Sequence, residues 1–428
     1  MSKINFSESK LLLEVAQAAW NGELFSKQEN LCQILLDEFQ SPEKRKEAIQ
    51  LVRQAMGLPA GSGDELFGDG DQEALLGLEE TYLTLSDQPA EQSGSLEVLS
   101  SKATLVPLIE MLKDREQLIY ATVAPAFSGQ FGPDVTAGKL RSALIKLGFT
   151  DMAETALGAD LVTMKEALEF CAHVNKPGDI LITSCCCPVW IQLIGVRFPE
   201  LKEKISPSVS PMIASGRVTK EYYPNSKVVF IGPCVAKKAE ANLPDLAGTI
   251  DYVLTFQELK TLFEAAGIDP TKEKDDEKAQ ASWAGRIFAR TGGVSQAVKK
   301  TLERIAPERV ADFNPVQVDG VPDCIKILQE ISEGKCKYNF IEGMGCKGGC
   351  VGGPGKLVDP ALAALEVNQY GEKSQAQTPI ENPAIYALLA RLGNQGDLEE
   401  LRGESPIGNL LNRNFKNMKR RKYGIDYH

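Results

Sequence analysis

Histidine is nearly missing from this chain. Only His173 and His428 occur among 428 residues, so a histidine-rich zinc or non-haem iron centre has almost no ligands available. Basic charge is also in deficit. Lys plus Arg total 47 against 58 for Asp plus Glu, a formal net charge of −11. The cationic footprint that non-specific nucleic-acid binding needs is absent. No apolar run approaches the roughly 18–20 residues of a membrane-spanning helix, so no membrane span is expected. The opening MSKINFSESKLLLEV lacks the basic-then-apolar order of a secretory leader, and a cytoplasmic location is expected. Ten cysteines are too few for a disulfide-stapled scaffold of this length. No Cys-x-x-Cys pair occurs in the first 90 residues, which leaves no ferredoxin-like cluster site there.

What is present reads as an ordinary globular composition, 43% hydrophobic and 25% charged. The length implies two or more domains or lobes. Residues 1–95 read as a helical N-terminal region and linker. NLCQILLDEF and RKEAIQLVRQAM space apolar residues by three and four, and 57–72 and 86–95 are breaks rich in Gly, Asp, Ser and Pro. From 96 to 368, apolar strands alternate with amphipathic helices. QLIYATVAPAF, GDILITSCCCPVW and YYPNSKVVFIGPCVAKKAE each carry a buried-strand pattern that runs into a loop. This alternation predicts an α/β fold: two lobes of mixed, partly parallel sheets flanked by helices, divided near residue 210. Residues 369–428 read as a C-terminal helical extension packed on that body, ending in a KRRK cluster expected to be solvated surface.

The cysteines are clustered. Cys185, Cys186 and Cys187 are adjacent, and Cys346 and Cys350 lie four apart in EGMGCKGGCVGGPG; Cys234 follows a strand in GPCVAKKAE. Clustered thiols beside glycines favour metal–sulfur chemistry. An iron–sulfur cubane needs four soft anionic ligands that converge, and thiols on loops at the carboxyl ends of strands can do this from distant sequence. Glycines remove side-chain bulk and expose backbone N–H groups to anionic sulfur. Two plainer readings stay open on spacing alone: inert cysteines in a buried Gly-rich turn, and a structural zinc site.

Three segments resemble the motifs of the iron–iron hydrogenases, in the family's order: TSCCCPVW (183–190), PCVAKKAE (233–240) and EGMGCKGGCVGG (342–353). The first motif normally holds two cysteines; here there are three. Anchored on Pro188 and Trp190, which needs no insertion after Asp160, Cys187 matches a cubane ligand and Cys186 the proton-carrying cysteine, with Cys185 in the place of a serine. Anchored instead on Thr183 and Ser184, the ligand would be Cys186 and the shuttle Cys185. The resemblance makes Cys234, Cys346 and Cys350 the other ligands, with Cys350 bridging to a two-iron unit. Lys237 matches the lysine that hydrogen-bonds a cyanide, and Met344 a family methionine. Ala124, Pro125 and Ala126 resemble the loop that cradles the other cyanide. Gly232 stands where the family has methionine, which is expected to leave space beside the two-iron unit. Glu166, Ser206 and Glu169 resemble the proton path, with His173 replacing an arginine at its outer end.

The resemblance implies a catalytic domain over 96–368 that catalyses 2H⁺ + 2e⁻ ⇌ H₂. Its cofactors would be a 4Fe-4S cluster and a two-iron subcluster with CO, cyanide and a bridging dithiolate amine, held between the lobes and sensitive to oxygen. It also implies maturation enzymes and an external, ferredoxin-like electron carrier; a homodimer is compatible. Two other readings share the residues: a sensory hydrogenase-like protein with low turnover, and an iron–sulfur scaffold without the two-iron unit.

Overall fold

The computed structural model describes residues 10–24, 26–56, 58, 66, 105–278, 280–394 and 396–415. Apart from residues 58 and 66, the break at 57–72, the linker at 86–95 and the KRRK cluster lie outside the described residues. The strands among the described residues are β1 (Ile119–Val123), β2 (Asp151–Glu154), β3 (Leu181–Ile182), β4 (Lys227–Ile231), β5 (Tyr252–Leu254), β6 (Pro315–Asp319) and β7 (Phe340–Met344). IYATV and KVVFI, each four-fifths apolar, become adjacent central strands that are almost wholly buried. That is the sequence pattern of a parallel sheet covered by helices on both faces.

The strands form two sheets, ordered β2-β1-β4-β5 and β3-β7-β6. Every ladder among the described residues is parallel, so the α/β expectation is met with sheets that are wholly parallel. A division near residue 210 does not separate the sheets. β3 precedes that point yet pairs with β7, while β4 and β5 follow it and join β1. β3 is only two residues long, and its partners Phe340 and Ile341 come from far along the chain. Nothing in its own sequence reveals that crossing.

The helix Thr155–His173 lies at the centre, 19 residues in length and about 28 Å long at 1.5 Å per residue. It packs against the helices Pro211–Tyr222, Trp283–Arg286 and Gly293–Ile305. From Thr155 to Phe170 nearly every residue is buried, including Asp160, Lys165, Glu166 and Glu169. A helix covered on all sides is usually apolar throughout; charged groups there need partners. Asp160 has them: it accepts from Ser282 N at 2.8 Å, the Ser282 hydroxyl and Asn382 Nδ2.

The two ends of the described chain pack on this body. Leu11, Leu12, Val15, Ala16 and Ala19 form the buried face of the helix Lys10–Trp20, which lies against Phe256–Ala265 and Leu105–Asp114. At the other end, the segment after the helix Pro406–Leu411 runs beside residues 207–209. Val209 N donates to Leu411 O at 2.9 Å and Arg413 N to Pro207 O at 3.1 Å, around an antiparallel bridge between Ser208 and Asn412.

Candidate functional site

Four strand ends meet at one place. β1 runs into Ala124-Pro125-Ala126, β4 into Gly232-Pro233-Cys234, β3 into the triple cysteine, and β7 into the loop of Cys346 and Cys350. β1 and β4 are neighbours in one sheet, and β3 and β7 in the other. This is the carboxyl-end position where parallel sheets hold ligands.

The triple cysteine sits on a tight turn. Ser184 takes a left-handed conformation, φ 63°, uncommon outside glycine and frequent at functional sites. Cys187 N closes the turn on Ser184 O at 2.9 Å. Cys187 then starts the helix Pro188–Arg197, with proline at its first position. Trp190 pins the turn from below: fully buried, it donates Nε1 to Thr183 O at 3.0 Å. The three thiols consequently point different ways. Cys187 Sγ accepts from Gly345 N at 3.3 Å, Cys186 lines a cavity, and Cys185 lies 3.2 Å from Ser206 O and 4.0 Å from Glu166 Oε1.

Cys187, Cys234, Cys346 and Cys350 come together. Burial pushes the Cys234 thiol up to about 12, and Cys187 and Cys346 add to the rise while Lys237 opposes it. Cys350 is driven up by burial, then by Cys187, Cys234 and Cys346. Cys346 rises for the same reasons, burial first and Cys187 second. Among the described residues no three His, Cys, Asp or Glu side chains close on a point that could hold a single metal ion. A zinc ion draws its thiolates to about 2.3 Å from one centre. The four thiols come from separate loops and act on one another electrostatically, and four thiols are the donor set that an iron–sulfur cubane takes. A cationic group there opposes the burial and the mutual repulsion that raise Cys234, Cys346 and Cys350, and the Gly345 N–H, which donates to Cys187 Sγ, supplies the donor that a sulfur ligand needs.

The glycines beside these cysteines have a second reason to be there. A Cβ on Gly345 would sit 2.6 Å from Val189, on Gly353 2.5 Å from Pro233 O, and on Gly349, where φ is +85°, 2.6 Å from Thr291 N. Their smallness lets the loops after β3, β4 and β7 cross at contact distance. Gly349→Ala combines a left-handed backbone with a backbone clash. It is expected to destabilise the protein by about 2 kcal/mol or more, seen as a lower urea midpoint at unchanged slope.

Beside Cys350 lies a small cavity walled by Ala124, Pro125, Ala126, Thr155, Ala159, Pro211, Met212, Phe230, Phe288 and Ala289, with Cys186, Lys237 and Cys350 as its chemically active members. Lys237 is buried, and its Nζ lies 2.5 Å from Glu240 Oε2. Burial works against the ammonium, but Glu240 and then Cys186 and Cys234 outweigh it and hold the lysine charged. One sequence reading changes here. Gly232 does not open free space, because a Cβ there would meet the Phe230 ring at 2.9 Å; that ring occupies the wall instead. Met344 is buried at the end of β7, with its carbonyl accepting from Gly320 N and Cys324, and is not part of the cavity wall.

Glu166 and Glu169 are both buried on the central helix. Burial raises Glu166 to about 7; the hydroxyls of Thr183 and Ser206 oppose the rise, Glu169 adds to it and Lys165 opposes it. The thiol facing Glu166 is Cys185, not Cys186. Ser206 is buried with its hydroxyl 3.0 Å from that of Ser208. Glu169 Oε2 lies 3.0 Å from Nδ1 of the half-exposed His173. Sequence reasoning missed Lys165 and Arg402, which lie against Glu169, and Asn412, which takes a hydrogen bond from Lys165. Lys165 stands four residues before Glu169, but that spacing ordinarily marks a solvent-facing pair.

A family model described as the iron-only hydrogenase large subunit, C-terminal domain, matches residues 117–354. Iron hydrogenase 1 of Clostridium pasteurianum is 31% identical over 278 residues, which cover 56% of this chain and 48% of that protein. The chain thus spans about half the length of that relative. The periplasmic Fe hydrogenase large subunit of Nitratidesulfovibrio vulgaris is 32% identical over 307 residues, 60% of this chain and 73% of that one. The cytosolic iron-sulfur assembly component 3 of Bos taurus is 23% identical over 354 residues, 69% of this chain and 73% of that one. A solved structure of a variant of the FeFe-hydrogenase HydA1 from Chlamydomonas reinhardtii shares the fold, with a TM-score of 0.55, 20% identity and coverage of 78% of this chain and 98% of that one. No helix among the described residues is long and apolar enough to cross a membrane. With the four thiols, the lysine-lined cavity and the family match over one continuous span, the chain belongs to the family of the iron-only hydrogenase large subunit, C-terminal domain.

Proposed function

We propose that this chain is an iron–iron hydrogenase domain that catalyses 2H⁺ + 2e⁻ ⇌ H₂. The observation that carries this reading is the cavity wall. Cys186 and the charged Lys237 stand beside Cys350 on an otherwise apolar surface, next to the turn whose other thiol faces buried Glu166. Cys187, Cys234, Cys346 and Cys350 would hold a 4Fe-4S cluster, with Cys350 shared by a two-iron unit in the cavity. When bound, that unit supplies the open coordination position and the base for hydrogen chemistry. The protein's own groups do the rest. Lys237 presents an ammonium for a charge-assisted bond to an anionic ligand. Ala124, Pro125, Ala126 and Phe230 keep water out. Cys186 holds a proton at Sγ on the cavity side, Cys185 stands between Ser206 O and Glu166, and Glu169 leads to His173 at the surface. A cytoplasmic setting, maturation enzymes and a ferredoxin-like external carrier are part of this reading.

The relatives named as iron–sulfur assembly components favour a second reading, a scaffold that carries the cubane alone. The Lys237–Glu240 pair beside an apolar cavity has no task in such a scaffold, which supports the hydrogenase. A sensory role with little turnover uses the same site. Anaerobic loading with iron and sulfide, followed by maturation, separates the three. Infrared bands of bound CO and cyanide together with hydrogen turnover are expected. Bands without turnover mark a sensor, and cluster absorbance without such bands marks the scaffold.

A further inference from the structure

Lysine is among the residues least often fully buried, and Lys165 is fully buried at the centre of the molecule. Its Nζ donates to Glu169 Oε1 at 2.9 Å and to Asn412 Oδ1 at 2.6 Å. Glu169 also lies 3.0 Å from His173 Nδ1 and 3.5 Å from Arg402 Nε. One buried carboxylate therefore faces three basic groups. They are not equivalent. Arg402 divides its charge with Glu399, 2.9 Å from its other arm, and His173 is half-exposed to solvent. Lys165 alone of the three is fully enclosed with Glu169.

Asn412 fixes this arrangement from the far end of the chain. Its Oδ1 takes the lysine while its Nδ2 donates to Arg402 O and Gly403 O, and its backbone is bridged to Ser208. The same strip of chain thus pairs with residues 207–209, holds Lys165 and carries Arg402. A buried ion pair is weak evidence of stability, since apolar residues of like volume commonly replace such pairs without loss. Its placement beside Glu166 points to a different use. Around Glu166 stand Thr183 and Cys185 from the loop after β3, Ser206, and Glu169 one turn further along its own helix, while Lys165, the preceding residue, acts on it through its charge as the smallest of these influences. Lys165 is the cationic group in that set.

We propose that Lys165 is a positioning residue of the proton route, which anchors Glu169 as the outer acidic station and supplies the positive charge that lets Glu166 give up a proton. The purpose of the route rests on the hydrogenase reading above; the electrostatic role rests on the contacts of Lys165 alone. The experiment uses metal-free full-length protein with ¹³C-labelled glutamate carboxyls, the Glu166 resonance being assigned by its loss in Glu166→Gln. The native midpoint is expected near 7. Lys165→Gln keeps polar contacts to Glu169 and Asn412 but removes the charge. It should raise the Glu166 midpoint by about one unit, roughly a tenfold gain in proton affinity, and Lys165→Arg should restore the native value. Should the glutamine variant fail to fold, Lys165→Met gives the same comparison. An unchanged midpoint in a folded neutral variant overturns the proposal, because packing alone would leave it in place. In matured protein the pH profile of turnover should move by the same interval. A shifted midpoint in a protein that never evolves hydrogen keeps the role of Lys165 and removes the hydrogenase reading. Turnover with no shift does the reverse.

Discussion

Replacing Glu166 by glutamine is expected to lower hydrogen turnover by about 10²- to 10⁴-fold, the usual span for loss of a positioned proton carrier, with the cluster absorbance unchanged. Glutamine keeps the shape of the side chain beside the hydroxyls of Thr183 and Ser206 but cannot pass a proton. The same substitution has a second consequence of opposite sign. Burial raises Glu166 from 4.5 to about 7, so the folded protein favours the neutral acid. Its contribution to stability is fully present below about pH 4.5 and is lost as pH rises through 7. At pH 8 the native protein keeps a buried carboxylate at a cost of about 3 kcal/mol. Glu166→Gln should therefore unfold at higher urea than the native protein at pH 8, and at nearly the same urea at pH 4. Equal midpoints at both pH values would show that Glu166 titrates normally, and the proton route would lose its inner station.

Cys186→Ala is the second change with a large expected effect. Cys186 lines the cavity wall and is distinct from the four converging thiols. Its loss should cut turnover by about 10²-fold or more while the visible absorbance of the cubane persists. Loss of that absorbance instead would move the ligand assignment by one residue and make Cys186 a metal ligand. Cys185→Ala separates the neighbouring role. Its thiol faces Glu166 and Ser206, so its removal should also slow turnover, by about tenfold, with the cubane kept.

Much of this arrangement can be read from the amino acids in order. The buried runs IYATV and KVVFI announce parallel strands; Cys187, Cys234 and Cys346 lie in the loops that follow strands, and Lys237 on the short helix Ala236–Ala241 after one of them. Pro188 after Cys187 marks a helix start, which favours Cys187 as the thiol that turns toward Gly345 N. Other features are tertiary. β3 crosses to a distant sheet on two residues that carry no directional signal. Phe230 fills the room beside Gly232 because alternation along β4 turns its ring inward past the strand end. Lys165 looks like a surface lysine until the C-terminal segment covers it, and Asn412 lies 247 residues away. Helical spacing reports which residues share a face, but not what a remote segment brings to that face.

The thiols also come from both sheets: Cys234 follows β4 in one, and Cys187, Cys346 and Cys350 follow β3 and β7 in the other. A cluster bound by all four is then a cross-link between two halves of the core, much as a clasp closes a hinged box. Its binding free energy becomes resistance to unfolding. Amides in β1, β4, β3 and β7 should exchange with solvent deuterium more slowly once iron and sulfide are bound, and a chelator that strips the iron should speed exchange in both sheets together.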